Sequence, residues 1–338
     1  MNYGAIDLHV RYTWIRIVTA DDTVVLEDKV PTTPERLTAA FRGQPRARIL
    51  IESGTDSEWV AQVLEACGHE VIVAAPSYAL MYGHRDKQIK TDRRDVVALT
   101  VACRHGIYKR AHRVSAEQRQ RRRRLRVREQ LVRARTQLIN LVRAQLRQEG
   151  YRVRACASEA LPRRYAELPL AAAVRAALAP ALTTITTLTE QIASCDTQLQ
   201  AVATVDPIVR RLMTAPGVGP ITALTFRAVL DDVARFADAR SVAAYLGLVP
   251  REDSSGTRHR KGSITKAGPT GLRVLLVQAS WVIWRQRGSA LYDWVHQLAE
   301  RRGKRIAIVA LARRLGRILY AMWRTETDYC LQPTRKAA

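Results

Sequence analysis

Residues 47–53, ARILIES, and 69–75, HEVIVAA, are two short apolar runs, each followed by a break, and between them lies SEWVAQVLEAC at 57–67, closed by Gly68. Strands buried on both faces read as continuous apolar runs rather than as alternation, and a helical pattern between two of them is a crossover connection. The stretch therefore predicts a β-α-β unit with parallel strands. Upstream, YGAIDLHVRYTWIRIVT (3–19) is rich in β-branched and aromatic residues, and TVVLEDKV (23–30) follows the turn-like Asp21-Asp22. Together they predict an opening hairpin. With a helix from about Thr33 to Arg42, the order becomes β, β, α, β, α, β, which is an α/β domain over residues 1–112.

Downstream of Pro76 the pattern turns helical. From Ser115 the chain enters QRQRRRRLRVREQLVRARTQLINLVRAQLRQ, with apolar residues at Leu125, Leu131, Val132, Leu138, Leu141, Val142 and Leu146. Offsets near three, four and seven predict one long amphipathic helix. Its other face is dense in arginine, nine of them between Arg119 and Arg135. Such faces normally mix signs, so Arg121, Arg122, Arg123, Arg124, Arg126 and Arg128 are candidates for nucleic-acid phosphate contact. Alanine-rich sequence follows, with Pro162, Pro169 and Pro180 as expected breaks, and TTITTLTEQIASCDTQLQAVA is the expected return helix. Residues 113–204 thus read as a coiled-coil-like helical arm, and residues 205–338 as a mainly helical C-terminal domain.

The 338 residues carry 55 Lys and Arg against 31 Asp and Glu, a formal net charge of +24. That balance points to a polyanionic partner rather than to an acidic one. With 47% hydrophobic residues the chain can bury a large core. Cysteines 67, 103, 156, 195 and 330 are widely spaced, without a CxxC pair, and read as reduced thiols. No apolar run reaches the length of a membrane span and no signal-peptide pattern opens the chain, so a cytoplasmic location is expected.

Against that positive background, clustered carboxylates are costly unless a cation lies between them. Asp7 lies in the first strand, Glu52 ends the ARILIES strand, and Asp92 and Asp95 are an i, i+3 pair that shares a helix face. Three segments distant in sequence are thereby expected to converge on two Mg²⁺ or Mn²⁺ ions, which prefer hard oxygen ligands. Two-metal sites of this kind hold the attacking and leaving oxygens of a phosphoryl displacement.

Two further motifs lie in the C-terminal domain. APGVGPITA (215–223) places Gly217 and Gly219 before a helix, where backbone N–H groups can hold phosphate. YLGLVPREDSSGTRHRKGSITKAGPTGLR (245–273) sets a Ser-Ser-Gly loop among Arg258, Arg260, Lys261 and Lys266, ahead of a helix beginning near Pro269 or Thr270. A serine amid cations can serve as a phosphoryl nucleophile, and on residues alone Ser254 and Ser255 are both open.

The set Asp7, Glu52, KTDRRDVVAL (90–99), APGVGPITA and YLGLVPREDSSG followed by GSITKAGPTGLR resembles the DEDD transposases of bacterial insertion sequences, the Piv-invertase-like family. The likeness runs from the first strand to about residue 325. It implies a RuvC-like ribonuclease-H-fold N-terminal domain, a recombinase acting on donor and target double-stranded DNA, and four acids, Asp7, Glu52, Asp92 and Asp95, binding divalent metal. It also implies a serine that becomes linked to DNA, falling by motif on Ser255 with Ser254 as near competitor. A structured non-coding guide RNA and a homo-oligomer, dimer or tetramer, are further implications. Two other readings compete: a hydrolytic nuclease in which the acids activate water, and a nucleic-acid binder that does not cut.

Overall fold

The computed structural model describes residues 1–83, 91–154, 156–255 and 258–330, with only the backbone for 79, 253–255 and 258–261. It divides into two compact units, Met1–Val114 and Ser115–Ala338.

In the first unit β1 (Asn2–Leu8), β2 (Tyr12–Val18) and β3 (Val24–Pro31) form an antiparallel meander. β4 (Ala47–Glu52) then pairs parallel to β1, and β5 (Glu70–Ala74) parallel to β4, giving the order β3-β2-β1-β4-β5. The run 3–19 is thus two strands rather than one arm of a hairpin. It reverses at His9, Val10 and Arg11, all exposed, where no Gly, Pro or Asn-Gly pair marks a turn and the β-branched pattern passes straight through.

Strand parity decides which helix each residue meets. Ile6, Ile49, Ile51 and Val73 face α1 (Pro34–Phe41) and α2 (Ser57–Ala66), where Leu37, Phe41, Val60 and Leu64 cover them. The alternate residues Ala5, Leu50, Ile72 and Ala74 face the opposite way and meet Val96, Leu99, Ala102 and Cys103 of α3 (Asp92–His105). Each buried Ile or Leu contributes about 1.5–3 kcal/mol, so a one-residue register slip, which would exchange the two faces, is strongly disfavoured. Helix α3 starts at Thr91, whose side chain accepts from the Arg94 N–H, and stops at Gly106 in the left-handed region.

The second unit opens with α4 (Ala116–Gln148), 33 residues and so about 50 Å long. Beyond α5 (Leu161–Ala166) the chain returns as α6 (Ala172–Val205). Ile139, Val142 and Leu146 of α4 pack with Leu178, Leu182 and Ile185 of α6. Pro180, expected as a break, lies inside α6. An interior proline costs about 3 kcal/mol, and Leu178 and Leu182, buried on either side of it, offset that cost.

The same unit continues through α7 (Pro207–Met213), α8 (Pro220–Leu230) and α9 (Ala239–Tyr245) into a hairpin of β6 (Pro250–Ser255) and β7 (Arg258–Ile264). Helices α10 (Thr270–Arg285), α11 (Ala290–Arg302) and α12 (Lys304–Thr325) complete it. Leu212, Phe226, Leu246, Leu276, Leu311, Leu315 and Leu319 form its core, to which α4 and α6 contribute Leu125 and Leu199. All five cysteines are free thiols, and among the described residues no helix is long and apolar enough to cross a membrane.

Candidate active site

The carboxylates lie about the C-terminal ends of the inner strands β1 and β4, for a reason that begins with parity. Asp7 is two residues beyond Ala5 and Glu52 two beyond Leu50, so both belong to the sheet face that α3 covers. β1 and β4 run parallel with Ile6 opposite Ile51, and one step further along the same register sets Asp7 alongside Glu52. Helix α3 lies on that face, and Asp92 and Asp95 occupy its first turn. Acidic groups suit a helix N-terminus, because the unpaired N–H groups there carry partial positive charge.

Asp7 has only 13% of its side chain exposed, Asp92 has half, and Asp95 is buried. Burial raises the Asp7 pKa above the ordinary carboxylate value, His9 opposes that rise by charge and hydrogen bonding, and the charges of Asp92 and Asp95 add to it. The two helical acids are therefore close enough to repel the strand acid.

His9 is the residue that sequence reasoning missed. Its Nε2 lies 3.1 Å from Asp7 Oδ2 and 3.6 Å from Asp92 Oδ1, and one ligand atom from each of the three lies within 4.8 Å of the others. Among the described residues this group of ligand atoms joins Asp7 and Asp92 with His9, not with Glu52 or Asp95. The available signal was Asp-Leu-His at a strand end, which carries weight only once the turn at residues 9–11 is seen. Hard carboxylate oxygens held together against their mutual repulsion are a donor set that fits a divalent cation, and one imidazole is compatible with it.

Ser254 and Ser255 end β6, with Ser254 opposite His259 and Ser255 opposite Arg258. Within the expected Ser-Ser-Gly loop, Ser254 and Ser255 are thus strand residues paired with β7. Side chains of Ser254, Ser255, Arg258, Arg260 and Lys261 lie outside the described residues, as do Gly256 and Thr257 entirely. What fixes the hairpin is its stem. The buried Arg273 donates from Nη1 to the carbonyls of Leu246 (3.0 Å) and Ala267 (2.8 Å). Gly247 and Gly268 flank the hairpin at φ +65° and +71°, each against the opposing backbone.

The six candidate arginines of α4 divide. Arg121, 7% exposed, donates to Asp206 Oδ2 (2.8 Å) and Glu117 Oε1 (2.9 Å). Arg122 donates to the carbonyls of Ala228 (2.8 Å) and Val229 (2.9 Å) at the end of α8, and burial lowers its pKa. Arg128 holds Asp196 of α6 at 2.6 Å. These three are committed to packing the unit, whereas Arg123, Arg124 and Arg126 are exposed. Gly217 is also tied to packing, since a Cβ there would stand 2.6 Å from the Ala279 carbonyl of α10. Gly219 caps α8 with open space around it, and Lys266 is exposed.

Residues 209–293 match the family described as "Transposase IS116/IS110/IS902 family", and residues 5–150 match the DEDD transposase family of IS110 type. A "Probable family 20 transposase" of Pseudomonas aeruginosa is 34% identical over 298 residues, covering 86% of this chain and 87% of the relative. The "Transposase for insertion sequence element IS1111A" of Coxiella burnetii is 33% identical over 257 residues, 72% and 70% of the two chains. A "Pilin gene-inverting protein" of Moraxella lacunata is 31% identical over 120 residues, 35% of this chain and 37% of that one.

Proposed function

This chain belongs to the IS116/IS110/IS902 family of transposases, enzymes that catalyse DNA transposition by phosphoryl transfer, and from that premise we propose how its own residues divide the chemistry. Asp7, Glu52, Asp92 and Asp95 hold one or two divalent cations, Mg²⁺ or Mn²⁺, with His9 beside them. The DEDD family implies such a metal, and its chemistry when bound is to neutralise charge on the phosphate under attack. The observation that carries the reading is the approach of Asp7 and Asp92 to within ligating distance of a common point, with Asp95 close enough to act on Asp7.

The first unit, on this reading, is a RuvC-like domain of ribonuclease-H type, and its mixed sheet with acids at the ends of β1 and β4 supports that. The functional division runs 1–112 for metal binding, 113–204 for the arm and 205–338 for the serine-bearing domain. Ser255 attacks the phosphorus of a DNA strand. An Oγ–P bond forms, the serine proton is lost, and a deoxyribose oxygen leaves as a free hydroxyl; attack by another strand's hydroxyl on the phosphoserine then restores the serine. Donor and target duplexes are the substrates, a structured non-coding RNA supplies the guide, and strand exchange takes place in a dimer or tetramer within the bacterial cytoplasm.

The test is denaturing electrophoresis of labelled donor and target DNA incubated with the chain, its element's RNA and Mg²⁺. A covalent adduct that disappears with Ser255→Ala and persists with Ser254→Ala is expected. Cleavage without any adduct, indifferent to both changes, would move the mechanism to hydrolysis.

The arginines make a second prediction. Replacing Arg123, Arg124 and Arg126 together with Gln is expected to leave unfolding unchanged. It should also reduce the steepness of log K against log salt on duplex DNA by roughly 3, about 0.9 for each phosphate that is no longer neutralised. Arg122→Ala should do the reverse, costing about 2–3 kcal/mol of stability through the two abandoned carbonyls while the salt slope stays put. Reversal of that pattern in a salt titration would show the division of the arginines to be mistaken.

A further inference from the structure

The far end of the helical arm holds a cationic recess to which neither the catalytic reading nor family membership gives a role. Asn140, Arg143 and Arg147 stand at i, i+3 and i+7 on α4 and so share one face. With Arg152 and Val153 from the segment after the helix they line a cavity of about 400 Å³. Among the described residues, no carboxylate lines it. From residue 143 to 154 the sequence holds four arginines and one acid, Glu149.

The recess is held in shape. Gly150 turns the chain back at φ +83°, Tyr151 N–H donates to the Leu146 carbonyl (2.9 Å), and the Tyr151 hydroxyl donates to the Pro169 carbonyl (2.7 Å). Arg143 is steadied by a contact from Nη2 to Cys156 Sγ at 3.8 Å, while its buried Nε finds no hydrogen-bond partner among the described residues. A basic residue in the last turn of a helix is favourable by itself, which accounts for Arg147. It does not account for Arg152, which lies beyond the helix. Three arginines lining one recess offer it positive charge, and their planar forks match phosphate.

We infer that this arm-tip recess, Asn140, Arg143, Arg147 and Arg152, is a binding site for a backbone phosphate of duplex DNA. The inference rests on the reading of the chain as a DNA-acting enzyme and adds a contact that uses neither the acids nor the serine hairpin. Arg143, half-buried, forms its floor, and Arg147 and Arg152, both exposed, close on the phosphate from the rim.

The test uses the full chain, fluorescence anisotropy with a random-sequence DNA duplex, and a salt titration. Arg147→Gln/Arg152→Gln is expected to make the slope of log K against log salt less steep by about 2. Arg163→Gln/Arg164→Gln, which removes two exposed cations from α5, Arg163 lying 3.5 Å from Glu167, should leave it unchanged. Arg147→Lys/Arg152→Lys, retaining charge without the fork, should weaken binding at an unchanged slope. Circular dichroism melts confirm that the substituted helices stay folded. Equal slopes for wild type and Arg147→Gln/Arg152→Gln overturn the inference, and so does an equal loss in both glutamine pairs, which would report charge without a site. An effect on structured RNA alone overturns the assignment to DNA. Wild-type protein that binds no duplex would sink the functional reading as well, whereas wild-type binding with an indifferent variant sinks only the recess.

Discussion

Asp7→Asn should abolish DNA strand cleavage, by on the order of 10³-fold or more, while leaving DNA binding nearly intact. The amide preserves the size of the side chain but removes the charge that a divalent cation needs. Neither acid of α3 replaces it, because Asp92 is half exposed and both project from a helix rather than from the end of β1. Asp95→Asn should behave the same way. Stability gives a second readout with a definite sign. Burial raises the Asp7 pKa, so between the unfolded and folded pKa values the native state holds more protons than the unfolded chain. The contribution of Asp7 to the stability of the metal-free protein is therefore fully present below its unfolded pKa and is lost as pH rises through the folded one. Asp7→Asn should raise metal-free stability at neutral pH and flatten this dependence. Added Mg²⁺ or Mn²⁺ should raise the melting temperature of wild type and not of the variant, since a ligand stabilises only the state that binds it. A variant that cuts at the wild-type rate, or one that responds to the cation as wild type does, would remove Asp7 from the centre.

The second large effect is expected at the hairpin stem. In Gly247→Ala the new Cβ would stand 2.2 Å from the Ala267 carbonyl oxygen, and in Gly268→Ala 2.1 Å from that of Tyr245. Both obstacles are backbone, so no rotamer change relieves them. Each site also has positive φ, which alanine adopts only at a cost of about 1 kcal/mol, and forced repacking adds about 1–3 more. A loss of about 2–4 kcal/mol is expected for either change, together with loss of DNA-joining activity as the stem that carries Ser254 and Ser255 is displaced. Gly288→Ala is the internal comparison: φ is +88° there, yet nothing lies within 4 Å of the new methyl, so only the conformational share should appear. Chemical denaturation of the three variants decides it, and equal midpoints for Gly247→Ala and Gly288→Ala would show that the close approach has no energetic weight.

The α/β character of the first unit was legible because its central strands are apolar on both faces and its helices are amphipathic, which are properties of single residues in order. The reversal at His9–Arg11 was not, since an exposed turn built from His, Val and Arg carries none of the glycine or asparagine signals that mark one. His9 was lost with it. Asp7, Glu52, Asp92 and Asp95 could be picked out because carboxylates are scarce here, yet their distances depend on the register of β1 with β4 and on where α3 is laid down. The arginines of α4 illustrate the opposite limit. Arg122 and Arg123 are the same letter one position apart, but one lies against the end of α8 and the other in solvent, and only the neighbouring helices distinguish them. The Ser-Ser-Gly segment reads as a loop because its residues are polar, and backbone pairing with β7 is invisible to side-chain periodicity.

Helix α4 also acts as a spacer. Arg126 near its beginning and Arg147 near its end are separated by 21 residues, about 32 Å along the axis, which is close to the roughly 34 Å of one turn of duplex. About a hundred degrees per residue returns the two positions to within about 60° of each other around the helix. Where both hold phosphate, the duplex is gripped twice at one phase of its winding, and a rod held that way resists twisting about its own axis as a single handhold does not.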